Sequence, residues 1–149
     1  MQSRVIVIDV YRGKAYLPAQ VQFESGIRAD SDPVFTADLN VQDLVSAAEQ
    51  VLAAGQPRLP DPTREEWKNR ESPIMGATKA HTWKELARSG ASYAIALTDR
   101  DVRVDMSRLD KKGRWQFDAS KVRFFPPDTP LSIIMPVILE DIQSRPEVQ

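Results

Sequence analysis

Residues 33–55 read Pro33-Val34-Phe35-Thr36-Ala37-Asp38-Leu39-Asn40-Val41-Gln42-Asp43-Leu44-Val45-Ser46-Ala47-Ala48-Glu49-Gln50-Val51-Leu52-Ala53-Ala54-Gly55, and inside them the hydrophobic period changes from two to 3.6. Up to Leu39 apolar and polar side chains alternate, as on a half-buried strand. From Val41 onward Val41, Leu44, Val45, Ala48, Val51 and Leu52 fall on one helical stripe. Asn40 supplies an N-cap, Asp43 places a carboxylate in the first turn where the helix dipole favours it, and Gly55 closes the helix. A strand feeding an amphipathic helix makes this an α+β chain.

The same plan extends outward in both directions. Val5-Ile6-Val7-Ile8-Asp9-Val10 is β-branched and compact, the profile of a buried strand. Gly13 turns the chain into a second strand, Ala15 to Phe23, in which Pro18 marks an edge or a bulge. Arg28 to Asp32 is polar and reads as loop. Beyond Gly55 three prolines (Pro57, Pro60, Pro62) mark a connector. Thr63-Arg64-Glu65-Glu66 and Thr82-Trp83-Lys84-Glu85 then open two short capped helices, the first ended by Ser72-Pro73. Strands return at Ser92–Leu97, Val102–Met106, Trp115–Phe117 and Lys121–Phe125. A last helix, capped by Asp128 or Thr129 with Pro130 in its first turn, runs to about Gln143 and carries Pro136 inside it. The expectation is one α+β domain, 1–149, built from two ββββα pseudo-repeats. Each is an antiparallel sheet followed by an amphipathic helix; they span about 4–55 and 91–143 and are joined by short helices in a 56–90 connector. The pattern resembles whirly-type folds.

Composition narrows the chemistry. The chain has 149 residues, 20 basic and 21 acidic, with a formal charge of −1 and no cysteine. Thiol chemistry, disulfides and thiolate zinc sites are thereby excluded. The balanced charge argues against a general nucleic-acid or anionic-membrane binder. No apolar run approaches a membrane span, and the opening residues Met1–Val5 lead into a run too short and too charged for an export signal, so a cytoplasmic chain is expected. His81, the single histidine, stands at a helix start with no second histidine beside it, which fits a capping or solvated role. Asp99, Asp101 and Asp105 interleave with Arg100 and Arg103 as a solvated face, and the six glycines form no phosphate loop. No catalytic residue, metal ligand or cofactor site emerges, and the chain reads as a non-enzyme.

Charge is more informative by segment. Glu24, Asp30, Asp32, Asp38, Asp43 and Glu49 face only Arg28 in their stretch, an asymmetry able to steer a basic partner protein. These six are the candidate partner-binding residues. Arg100 to Arg123 is basic and contains Trp115 and Phe117, superficially a single-strand nucleic-acid platform. Alternation instead assigns both rings to the core face. Trp67 and Trp83 read as pins holding the short helices to the sheet.

Arg4-Val5-Ile6-Val7-Ile8, Tyr16-Leu17-Pro18 and Gly26 together resemble the opening of the CdiI family of immunity proteins from contact-dependent growth inhibition systems. Ser72-Pro73-Ile74-Met75, Thr82-Trp83-Lys84-Glu85-Leu86, Ala91-Ser92-Tyr93 and the closing stretch Val122 to Ile142 are similar to it as well. The family's Gly-rich basic segment is reduced here to Lys111-Lys112-Gly113-Arg114. The resemblance implies a cytoplasmic protein without enzyme activity or cofactor. It implies that the chain binds a cognate toxin, the CdiA C-terminal domain, often a nuclease, and blocks its active site. Membrane, nucleic-acid and small-molecule partners are not expected on that reading. The alternative is a whirly-like single-stranded nucleic-acid-binding protein, supported by the basic hairpin; a small carboxylate enzyme ranks third.

Overall fold

The computed structural model describes residues 3–149; Met1 and Gln2, part of the opening segment and of the expected 1–149 domain, lie outside the described residues. Strands β1 (Arg4–Tyr11), β2 (Lys14–Phe23) and β3 (Arg28–Asp38) lead into helix α1 (Val41–Ala54). After the two-residue β4 (Arg58–Leu59) come the short helices α2 (Arg64–Lys68), α3 (Pro73–Thr78) and α4 (Trp83–Ser89). The chain finishes with β5 (Gly90–Leu97), β6 (Val102–Leu109), β7 (Trp115–Phe117), β8 (Arg123–Phe125) and α5 (Leu131–Gln143).

All eight strands belong to one sheet, ordered β3-β2-β1-β5-β6-β7, with β4 parallel on β2 and β8 antiparallel on β6. The mixed α+β class holds, but the two halves do not form separate sheets. Strand β1 pairs with β5 along its whole length, from Arg4 opposite Leu97 to Tyr11 opposite Gly90, and this seam merges them. Apolar on both faces, β1 belongs inside a sheet, with neighbours at both edges. Three strands, not four, precede α1, whereas β5 to β8 precede α5.

Local sequence explains most boundaries. Asn40 accepts from the Asp43 amide at 2.8 Å and Gly55 ends α1 at φ +76°, a conformation glycine adopts without steric cost. The Thr63–Glu66 capping box is complete. Arg28–Asp32, expected as loop, is strand, because its backbone pairs with the buried β2 and tertiary pairing outweighs side-chain polarity. The register shift between Pro18 and Ala19 is the bulge that Pro18 foretold. Ser72-Pro73, expected to end a helix, starts one: Ser72 accepts from the Met75 amide and Pro73 sits where its missing N–H costs nothing. Neither Asp128 nor Thr129 caps α5. Pro130 holds the N-cap position without a side-chain bond, and Thr129 donates to the Pro126 carbonyl instead.

The main core lies on one face of the sheet. Ile6, Ile8 and Val10 of β1 pack with Leu44, Ala48 and Val51 of α1 and with Ile134, Ile138 and Ile142 of α5, all completely buried. A polar clasp anchors the end of α5. The Asp141 carboxylate accepts from Tyr93 Oη at 2.6 Å, Lys121 Nζ at 2.9 Å and Arg145 Nε at 2.8 Å, and these partners hold it below the usual carboxylate range despite burial. At the other end of β1 the strands part, since β1 and β2 pair only over Asp9–Tyr11 and Lys14–Tyr16. Gln56 fills the gap: its amide donates to the Val5 carbonyl at 2.7 Å and accepts from the Val5 amide at 3.2 Å.

Candidate functional site

Among the described residues no long helix covers the opposite face of the sheet. A smaller cluster of Tyr11, Ile74, Ala80 and Leu86, joined by Tyr16, Val34, Met75 and Trp115, packs α3 and α4 onto part of it. Gly90 is required there: a Cβ would lie 2.6 Å from the Leu86 and Val10 carbonyl oxygens and 3.2 Å from the Trp115 ring. The remainder is open, with Val5, Val7, Ala94 and Ala96 only half-buried.

Where β3 meets the short helices, an open cavity of about 690 Å³ is lined by Asp30, Trp67, Arg70, Glu71, Met75 and Trp83, among others. Trp67 is 48% exposed and Trp83 54% exposed. Neither is the simple pin that was expected. Trp67 does touch Phe23 edge-on at 5.8 Å, but Trp83 occupies the first position of α4 and turns largely to solvent. Sequence pattern misled here because Trp83, Leu86 and Ala87 share helical spacing. That spacing says nothing of whether the sheet reaches the first turn. Arg70 sits 5.7 Å from the Phe23 ring and 5.8 Å from the Trp67 ring, and its guanidinium donates to the Asp30 carbonyl.

Behind the cavity runs a line of buried polar groups. Gln20 Nε2 donates to the Asp30 carboxylate at 2.8 Å. Asp9, almost wholly buried, accepts from Ser92 Oγ at 2.6 Å, and the Ser92 amide donates to Ser107 Oγ at 2.8 Å. Burial lifts the Asp9 carboxyl to about 7, with the Ser92 bond opposing and the Asp30 charge adding to the rise. Burial raises Asp30 too, against the pull of Gln20 and Arg70. The Ser92 hydroxyl and the Asp9 carboxyl are both buried, so what this pair governs is stability against pH.

The six acidic residues do not form one patch. Asp30 lines the tryptophan cavity, while Asp38 and Asp43 line a separate shallow cleft with Lys14. Glu24 lies at the turn after β2, Asp32 on β3 and Glu49 on α1, all exposed and lining neither. Asp43 is also engaged locally, accepting from Asn40 Nδ2 at 2.9 Å. His81 is exposed, and its backbone amide donates to Glu85 Oε2 at 3.1 Å.

The basic hairpin departs from expectation. Phe117 is opposite Ser107 and Phe124 opposite Arg103, which puts both on the face without long helices; they are 48% and 60% exposed. Arg103 lies 5.8 Å from the Phe124 ring and is paired with Asp105 at 3.1 Å. Trp115 is partly buried, and its Nε1 donates to the Ala87 carbonyl at 3.2 Å. Register, not alternation alone, decides which face a ring takes. Among the described residues no cluster of His, Asp or Glu could hold a metal, and no helix is long and apolar enough to cross a membrane.

No protein-family model matches the chain, and no curated protein matches its sequence. The fold does recur among solved structures. A chain of the CdiA-CT/CdiI toxin and immunity complex from Yersinia pseudotuberculosis superposes with a TM-score of 0.68 at 11% identity, over 97% of each chain. A protein of unknown function from Neisseria meningitidis superposes with a TM-score of 0.69 at 16% identity, over 97% of this chain and 96% of that one. These chains share the fold of the present one from end to end.

Proposed function

We propose that this protein is an immunity protein: it binds the C-terminal toxin domain of a CdiA-type effector in the cytoplasm and neutralises it by covering its active site, without chemistry of its own. The observation that carries this is the end-to-end fold shared with a chain of a toxin and immunity complex. The sequence resemblance to the CdiI family points the same way. A nuclease toxin is the fitting partner, because carboxylates on the immunity protein can stand in for the phosphates its basic surface holds. Glu24, Asp30, Asp32, Asp38, Asp43 and Glu49 are the carboxylates proposed to meet it, as separate contacts and not as one patch. Calorimetry with the toxin domain encoded beside this chain tests the reading. Nanomolar 1:1 binding that abolishes toxicity is the expected result; absence of binding ends it.

A second reading rests on Phe117 and Phe124, exposed on the same face of the sheet as Arg103. Exposed rings among cations suit stacking on single-stranded nucleic acid. Retention of single-stranded DNA at moderate salt, abolished in Phe117→Ala/Phe124→Ala, would favour it over the immunity role.

A further inference from the structure

We infer that the cavity between β3 and the short helices is a receptor for an arginine side chain of the partner protein, stacked on Trp83 and paired with the carboxylates of Asp30 and Glu71. The identity of the partner rests on the immunity reading; the recognition chemistry does not. Two half-exposed tryptophans at one concavity are the residue type that dominates binding energy at protein interfaces. An indole face attracts a guanidinium, which is planar and weakly hydrated. Arg70 already demonstrates this at the same site by lying over Trp67 and Phe23, and in doing so it leaves the Trp83 ring free of any such contact. Among the described residues neither Asp30 nor Glu71 belongs to a salt bridge. Asp30 has Gln20 as its side-chain donor and is short of solvent, so an arriving cation would restore what burial has taken from it. The lining sets two carboxylates, Asp30 and Glu71, against the one cation Arg70, and this net negative balance disfavours an anionic ligand.

The test uses the full chain and a blocked Gly-Arg-Gly tripeptide, followed by tryptophan fluorescence. A saturable change is expected with this peptide and none with its citrulline counterpart, which keeps the shape and loses the charge. Trp83→Ala and Asp30→Asn should each weaken it, and Trp83→Phe should retain part of it. Circular dichroism checks that the variants remain folded, which exposed Trp83 favours. An equal response to citrulline, or no response, overturns the inference. Against the toxin domain, Trp83→Ala should weaken binding roughly 30-fold, the loss that defines a hot spot. If the toxin domain binds Trp83→Ala and Asp30→Asn as tightly as the parent, this inference fails and the immunity reading stands. If the peptide binds and the toxin domain does not, the immunity reading fails and the receptor stands.

Discussion

Replacing Asp9 with asparagine should remove most of the protein's pH-dependent stability between pH 5 and 8. In the folded chain the Asp9 carboxyl titrates at about 7 against 3.8 for a solvated aspartate, chiefly because it is buried. Between those two values the unfolded chain is ionised while the folded chain holds the proton, so stability falls as pH rises. The contribution is complete below 3.8 and is gone once pH has passed through about 7. At about 1.4 kcal/mol per pKa unit, the wild-type chain should lose about 3 kcal/mol from pH 5 to pH 8. Asparagine keeps an oxygen to accept from Ser92 Oγ and cannot ionise. Its extra N–H₂ costs about 1–3 kcal/mol if it finds no acceptor. Urea unfolding at four pH values, read by circular dichroism, should give a falling line for the parent and a nearly flat one for Asp9→Asn. A flat parent, or an undiminished slope in the variant, would refute the assignment. Asp30→Asn should lessen the same slope, since the Asp30 charge contributes to the rise at Asp9.

Other perturbations have outcomes set by the same structure. Asp141→Ala strands Lys121, Arg145 and the Tyr93 hydroxyl around a partly buried site, and should cost about 3–5 kcal/mol in urea unfolding. Gly90→Ala forces a methyl against two backbone carbonyls that cannot both move, so thermal melts should show a loss beyond the ordinary 0.5–3 kcal/mol of a point change, about 4 kcal/mol or more. Gln56→Ala frees both polar groups of Val5 at the parting of β1 and β2. It should cost about 1–3 kcal/mol, with faster hydrogen exchange at the Val5 amide as its signature. Asn40→Ala should cost about 1 kcal/mol, with fraying confined to the first turn of α1.

Much of the fold was legible where local chemistry and tertiary context agree. The Asn40–Gly55 helix, the Thr63 capping box and the Pro18 bulge each follow from side chains acting on their own backbone. What was not legible depends on partners distant in the chain. Nothing local to Val5–Val10 says that its second neighbour is Ser92 and its surroundings, and so the halves were read as separate sheets. Arg28–Asp32 is extended only because β2 lies beside it. The candidate site was legible in part. Asp30 was singled out by charge, but its cavity joins β3 to three short helices, and the exposure of Trp67, Trp83, Phe117 and Phe124 is a property of how those pieces pack. Periodicity places a ring on a face; it does not say whether that face is covered.

The seam between β1 and β5 also bears on how the chain is made. Arg4 cannot meet Leu97 until about two thirds of the 149 residues have been synthesised. Until then the most apolar strand waits on the ribosome with one edge unpaired, a state open to aggregation and to chaperone capture. Closing so long a loop is slow relative to helix formation, so α1 should be formed before the sheet that it covers. A chain cut within 56–90 would then yield two fragments that are each incomplete alone and that recover the fold only when mixed.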